Sequence, residues 1–214
     1  MSDNIEKISL ENKPYSLDEL VRYEYKIKSL AREKSSELIF NDSIVHAALI
    51  MSEILENSTS VNMYCGEFSY FRNSFKEKLD DMFKNPVYDE VRDTPKFNAF
   101  DPYQKTVDAL ESFLERGGKM RVIMQQDDPI SLTKEVIWQK FLKKYYQERS
   151  IDFYKFDIEL KLYHFTVGDN EMYRQESDMA LRTAFACFNN EKNATLLNTT
   201  FEILKKNASV VNLN

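Results

Sequence analysis

The stretch KLYHFTVGDNEMYRQESDMALRTAFACFNN, residues 161–190, decides how this chain is read as a fold. Residues 160–167 alternate apolar and polar side chains, the two-residue period of a half-buried strand. Gly168, Asp169 and Asn170 tolerate a tight turn, and residues 171–175 return as a second strand. Residues 184–188 read as a further buried strand, and Ala194, Leu197, Phe201 and Leu204 lie on one face of a closing helix. A hairpin at this end brings antiparallel pairing, so the sheet is expected to be mixed.

Upstream of that stretch, helices alternate with short strands. Ser16-Leu17-Asp18-Glu19 reads as a capping box, in which a hydroxyl and a carboxylate satisfy free amides at a helix start. Leu20, Val21, Ile27 and Leu30 continue that amphipathic helix, which we expect to be an N-terminal appendage over residues 1–40, leaving an α/β domain over 41–214. A second helix opens near Asp42 with Ile44, Val45, Ala48, Leu49, Ser52 and Leu55 on one face, and the strand 61–65 and a Gly66 turn follow. Residues 67–83 read as a helix or a strand-to-helix turn, and residues 85–101 as the longest irregular loop. Asp101 and Pro102 start the next helix, Val107, Leu110, Phe113 and Leu114 form its buried stripe, and Gly117-Gly118 stops it before the strand 119–124. Ser131 is expected to cap another helix with Val136, Ile137, Phe141, Leu142 and Tyr145 on its core face, before a strand over 153–157. Parallel strands need crossover helices between them, so the expected class is α/β, a mixed and largely parallel sheet flanked by helices.

A chain of 214 residues, 43% apolar and 30% charged, can bury the core of one globular domain, and four glycines and five prolines leave little material for linkers. Its net charge of −6 gives no global attraction for polyanions, so nucleic-acid or anionic-membrane binding would need a local basic patch. The N-terminus lacks the basic flank and apolar run of a signal peptide, and no stretch approaches the roughly 20 apolar residues of a membrane span. A cytoplasmic protein without membrane contact is therefore expected. Cys65 and Cys187 have no metal-ligand spacing and read as reduced, buried thiols, and the Asn-x-Ser/Thr triplets at Asn57, Asn193 and Asn207 as chance matches. A phosphate-cradling glycine loop, a Gly-x-Ser-x-Gly elbow and a helical zinc pair are all absent, and no metal or cofactor is expected.

Three segments together resemble the phospholipase D-like superfamily over roughly residues 43–206: IVHAALIMSEILENSTSVNMYCG, the Gly-Gly stop before KMRVIM, and LYHFTVGDNEMYRQE followed by FACFNNEKNATLLNTTFEIL. That family carries H-x-K-x4-D and, after a short strand, G-S-x-N. Its His attacks phosphorus, its Lys and Asn bind phosphate oxygens, and two motifs meet in one site. Here His164 matches the His, Thr166 stands at the Lys, and Asp169 lies two residues before the Asp position. Asn189 or Asn190 falls in the region of the Asn, without a preceding Gly-Ser. Losing a group that stabilises transition-state charge costs about 10²–10³ in rate. The resemblance thus implies a phospholipase D-like half-domain with a single degenerate motif: a non-catalytic binding or regulatory module that recognises a protein partner or a phosphate-containing ligand. It also implies a homodimer near the His164 strand, because a one-motif member completes its site with a second copy.

His164 and Asn189 are the candidate catalytic residues if activity survives, and Asp169, Arg174 and Asn190 are the candidate ligand contacts. The alternative is a phosphodiesterase or nuclease in which His164 is the nucleophile and Arg174 or a distant lysine supplies the missing cation. The other charged groups have plainer readings. Glu171, Arg174, Glu176 and Asp178 read as a solvated hairpin edge rather than a metal site. Lys119, Arg121, Lys140, Lys143 and Lys144 read as solvated faces, and His46 as a partly exposed structural residue in a first helical turn.

Overall fold

Local hydrogen bonding starts and stops three of the helices where the sequence indicates. In the computed structural model, which describes residues 15–125, 128–158, 160–178 and 183–213, α1 (Leu17–Arg32) begins at the Ser16/Glu19 capping box. Helix α2 (Ile44–Glu56) is capped by Ser43, whose hydroxyl accepts from the His46 amide at 3.1 Å. Helix α5 (Pro102–Glu115) opens on the Asp101 carboxylate. It closes as the Gly118 amide donates to the Phe113 carbonyl at 2.9 Å and the Gly117 amide to that of Leu114 at 3.0 Å. Gly117 sits at φ +86°, where a side chain would be strained, and this explains why the stop is a glycine.

The remaining elements are β1 (Ile39–Asn41), β2 (Ser60–Cys65), α3 (Asn73–Phe83), α4 (Pro95–Asn98), β3 (Lys119–Met124), α6 (Lys143–Gln147), β4 (Ile151–Lys155), β5 (Phe165–Gly168), β6 (Met172–Asp178), β7 (Thr183–Cys187), α7 (Glu191–Lys206) and β8 (Ser209–Val210). They build one mixed sheet of order β1-β7-β6-β5-β2-β3-β4-β8. Parallel pairing is confined to β2-β3-β4, and the hairpin end is antiparallel.

Each face of the sheet is covered. On one, α2 is buried from Val45 to Leu55 because the sheet, α1 and α5 enclose it, and a largely apolar helix belongs in such a place. Helix α1, the appendage of the sequence reading, lies on α2 and adds Leu17, Leu20, Ile27 and Ala31 to that core. On the opposite face, Ala194, Leu197, Phe201 and Leu204 of α7 pack on Tyr64, Phe165, Val167 and Tyr173.

Four expectations need correction. The alternating run 160–167 is strand only from Phe165, because β2 ends at Cys65, Gly66 turns away and the Cys65 carbonyl is taken by the Gln125 amide. Ser131 caps no helix: it lies in a 3-10 segment, Pro129–Lys134, capped by Asp128, and a wide turn over Trp138–Leu142 precedes α6, leaving Val136 exposed. The loop 85–101 contains the short turn Pro86–Tyr88 and α4, pinned where the buried Tyr88 hydroxyl donates to the Tyr15 carbonyl at 2.6 Å. Finally, β6 lies inside the sheet between β5 and β7, so its charges do not form a solvated edge.

Candidate ligand pocket at the end of the sheet

The hairpin register assembles the site. Thr166 of β5 lies opposite Arg174 of β6, and one step beyond the strand the Glu176 amide donates to the His164 carbonyl at 2.9 Å. Two cross-strand pairs, Thr166–Arg174 and His164–Glu176, therefore line one end of a cavity of about 350 Å³. Its other walls are the end of β2 at Cys65 and Gly66, the first turn of α2 at Ser43, Ile44 and Ala47, and the segment carrying Tyr70, Phe75 and Lys78. This is the carboxyl end of a parallel strand, where open α/β sheets gather ligands because the flanking loops diverge there.

Arg174 is the unusual group. It is only 5% exposed, yet no carboxylate among the described residues lies within ion-pair distance. Its Nε donates to Asn41 Oδ1 at 2.9 Å, and the guanidinium carbon stands 5.7 Å from the centre of the Tyr70 ring. Asn41 in turn donates to the Ser43 carbonyl at 3.0 Å, which ties the arginine to the start of α2. Burying a cation without an anion is costly, and one neutral hydrogen bond and one aromatic face offset only part of that.

His164 has a partner. Its Nδ1 lies 3.0 Å from Glu176 Oε2, and both side chains are about one-fifth exposed. No hydrogen bond joins the two among the described residues, so this is a close contact of polar groups rather than a bond. Other groups around the pocket are chemically quiet. Burial pushes the Cys65 thiol up to about 12 and the Tyr64 phenol up to about 12, and the Tyr64 hydroxyl bonds the Gln125 side chain. A thiol held protonated in this way is a poor nucleophile. Burial also raises the Tyr70 phenol, against the pull of Arg174.

Of the residues singled out from sequence, the structure brings together His164 and Arg174, with Thr166 beside them. Asp169 lies at the other end of the hairpin. At φ +50° its carboxylate accepts from the amides of Thr59 at 3.1 Å and Ser60 at 2.8 Å, and from both their hydroxyls. Asn189 is exposed beyond β7, and Asn190 caps α7 by accepting from the Asn193 amide at 3.0 Å. Neither lines the pocket, because β6 rather than β7 is the neighbour of β5. Glu176, Tyr70, Ser43 and Lys78 were missed as pocket residues. The first was readable: a hairpin in which residue 166 faces 174 must place 176 beside 164.

The second histidine is elsewhere and is not partly exposed. His46 is buried, stacked on Tyr23 at 3.7 Å between ring centres and tilted against Tyr15 at 4.6 Å. Its Nδ1 is 3.2 Å from Asp42 Oδ1 but without hydrogen-bond geometry, so we read a contact of charge rather than a bond. Burial lowers its pKa, and Asp42 opposes the shift. Both cysteines are free. Among the described residues no three His, Cys, Asp or Glu side chains could share a metal ion, and no helix is long and apolar enough to cross a membrane.

No protein-family model matches the sequence, and no curated protein matches it. Among solved structures, the chain is similar to TrmBL2, an archaeal chromatin protein described with a novel mode of DNA binding, at 13% identity and a TM-score of 0.53. That similarity covers 89% of this chain and 62% of the other, so the chain spans less than two thirds of that protein. Phospholipase D family members are also among the similar structures: Nuc from Salmonella typhimurium, at 12% identity and a TM-score of 0.48 over 82% of this chain and 99% of that one, and NucT from Helicobacter pylori, at 10% and 0.49 over 82% and 98%. At such identities the likeness concerns the course of the chain, and the chemistry must be read from its own side chains.

Proposed function

We propose that this chain is a phospholipase D-like binding module whose pocket holds a phosphate-containing ligand without cleaving it. The observation that carries the reading is Arg174, a buried cation with no carboxylate partner among the described residues, lining a small-molecule-sized cavity. A guanidinium with free terminal nitrogens matches the two oxygens of a phosphate, and a bound anion would offset the cost of burying the charge. Opposite Arg174, Thr166 supplies a hydroxyl but no charge where the resemblance calls for a lysine. Glu176 adds a negative charge beside His164, which disfavours further negative charge building up on a transferring phosphoryl group.

DNA binding, described for TrmBL2, is not carried over, since this chain has a net charge of −6 and its buried cation sits in a small cavity. A homodimer through the face near His164 belongs to the same proposal, and light scattering that finds only monomer would remove it. Isothermal titration with inorganic phosphate tests the binding reading: saturable heat is expected from the wild-type chain, and its persistence in folded Arg174→Gln would overturn the assignment.

A second reading rests on the 3.0 Å contact between His164 Nδ1 and Glu176. In that reading the His164 imidazole attacks phosphorus and expels an alcohol, after which water cleaves the P–N bond. Turnover of a generic phosphodiester that His164→Ala abolishes would establish this reading in place of the first.

A further inference from the structure

Resting on the phosphate-binding reading, we infer that the pocket selects a small phosphodiester carrying one negative charge on a compact aromatic body, the chemical class of a cyclic mononucleotide. Charge comes first. Among the described residues Arg174 is the one buried cation lining the pocket, while Glu176 lines the same cavity two residues along β6. A single negative charge is matched by Arg174; a second would meet the Glu176 carboxylate in a medium that screens poorly. Lys78 lies exposed at the rim, where solvent and salt weaken its help. A phosphodiester has one charge at neutral pH and a phosphomonoester close to two.

Hydrogen bonding adds a second constraint. With its Nε bonded to Asn41, Arg174 offers its terminal nitrogens as donors, and the Thr166 hydroxyl opposite it lines the same cavity. These groups fit an oxyanion, which a phosphodiester supplies. The walls supply the third. The cavity is also lined by Ile44, Ala47, Tyr70 and Phe75, and the Tyr70 and Phe75 rings stand edge-on at 5.3 Å between centres. Apolar and aromatic walls favour a flat apolar group over a second polar head. A cavity of about 350 Å³ lies at the small end of ligand sites and suits one nucleotide rather than a polymer.

Titration calorimetry on the full chain with 3′,5′-cyclic AMP, AMP, diethyl phosphate and inorganic phosphate tests this. Cyclic AMP is expected to bind at least about 10-fold more tightly than each of the others, since one charged hydrogen bond or one stacked ring is worth about that factor. In Glu176→Gln, which removes the repelling charge, affinity for AMP is expected to rise about 10-fold; a gain of binding cannot come from misfolding. AMP or inorganic phosphate binding as tightly as cyclic AMP, or no gain for AMP in Glu176→Gln, overturns the inference and leaves the phosphate reading standing. Binding of none of the four removes both.

Discussion

The two ends of the β5–β6 hairpin carry the same kind of polar side chain in opposite states of satisfaction. At the turn, the Asp169 carboxylate accepts from two backbone amides and two hydroxyls and so fastens the hairpin to the start of β2. At the open end, Arg174 is more deeply buried and makes one side-chain hydrogen bond, with no carboxylate within ion-pair distance among the described residues. A saturated charge is a structural fastening, because removing it leaves amides and hydroxyls to find water. An unsaturated buried charge costs stability in the free protein, and such groups persist where a ligand completes them. The same hairpin thus separates a group that holds the fold from one that waits for a partner.

That contrast can be broken by substitution. Asp169→Ala should cost the most, about 3 kcal/mol, from the lost charged hydrogen bonds and from placing alanine at a positive φ. Urea unfolding that finds less than about 1 kcal/mol would mean that the turn is not the fastening described. Gly168→Ala should cost about 2 kcal/mol, because its Cβ would fall 2.2 Å from Ser58 Oγ and 3.0 Å from Ile54 Cγ2 in packed surroundings. The double substitution Gly168→Ala/Ser58→Ala should recover part of that loss in the same unfolding assay. Arg174→Met should have the smallest effect on the ligand-free chain, within about 1 kcal/mol of wild type and in the stabilising direction, since a buried lone cation is exchanged for an apolar side chain of similar length. A loss of more than about 2 kcal/mol would make Arg174 a structural residue like Asp169 and dissolve the comparison.

The two histidines repeat the lesson on a smaller scale. His46 is enclosed by Tyr15 and Tyr23 in the layer between α1 and α2, whereas His164 stands at the end of a strand beside a cavity. From sequence, His46 read as partly exposed because it follows a helix cap; its burial comes from α1, which folds back over it. His164 was legible as a candidate because it lies next to a turn signal in an alternating run. Its neighbour Glu176 follows from the register once residue 166 faces 174, but the charges of this strand read as a solvated edge, and only the position of β7 outside β6 shows that the strand is interior.

Residues near in sequence decided what the sequence alone could decide. The Ser16/Glu19 box, the Asp101 cap, the Gly117-Gly118 stop and the Gly168–Asn170 turn each act over a few residues, so these helix ends, the hairpin and the mixed α/β class were readable from composition and spacing, whereas the Ser131 helix was an expectation that failed. The tertiary structure decided the rest. The pairing of β5 with β2 joins residues about a hundred positions apart, and no local preference fixes which strand a hairpin will join. That choice sets Arg174 and Glu176 beside the end of β2, leaves Asn189 and Asn190 one strand too far away, and buries a charge whose missing partner the sequence had no means to reveal.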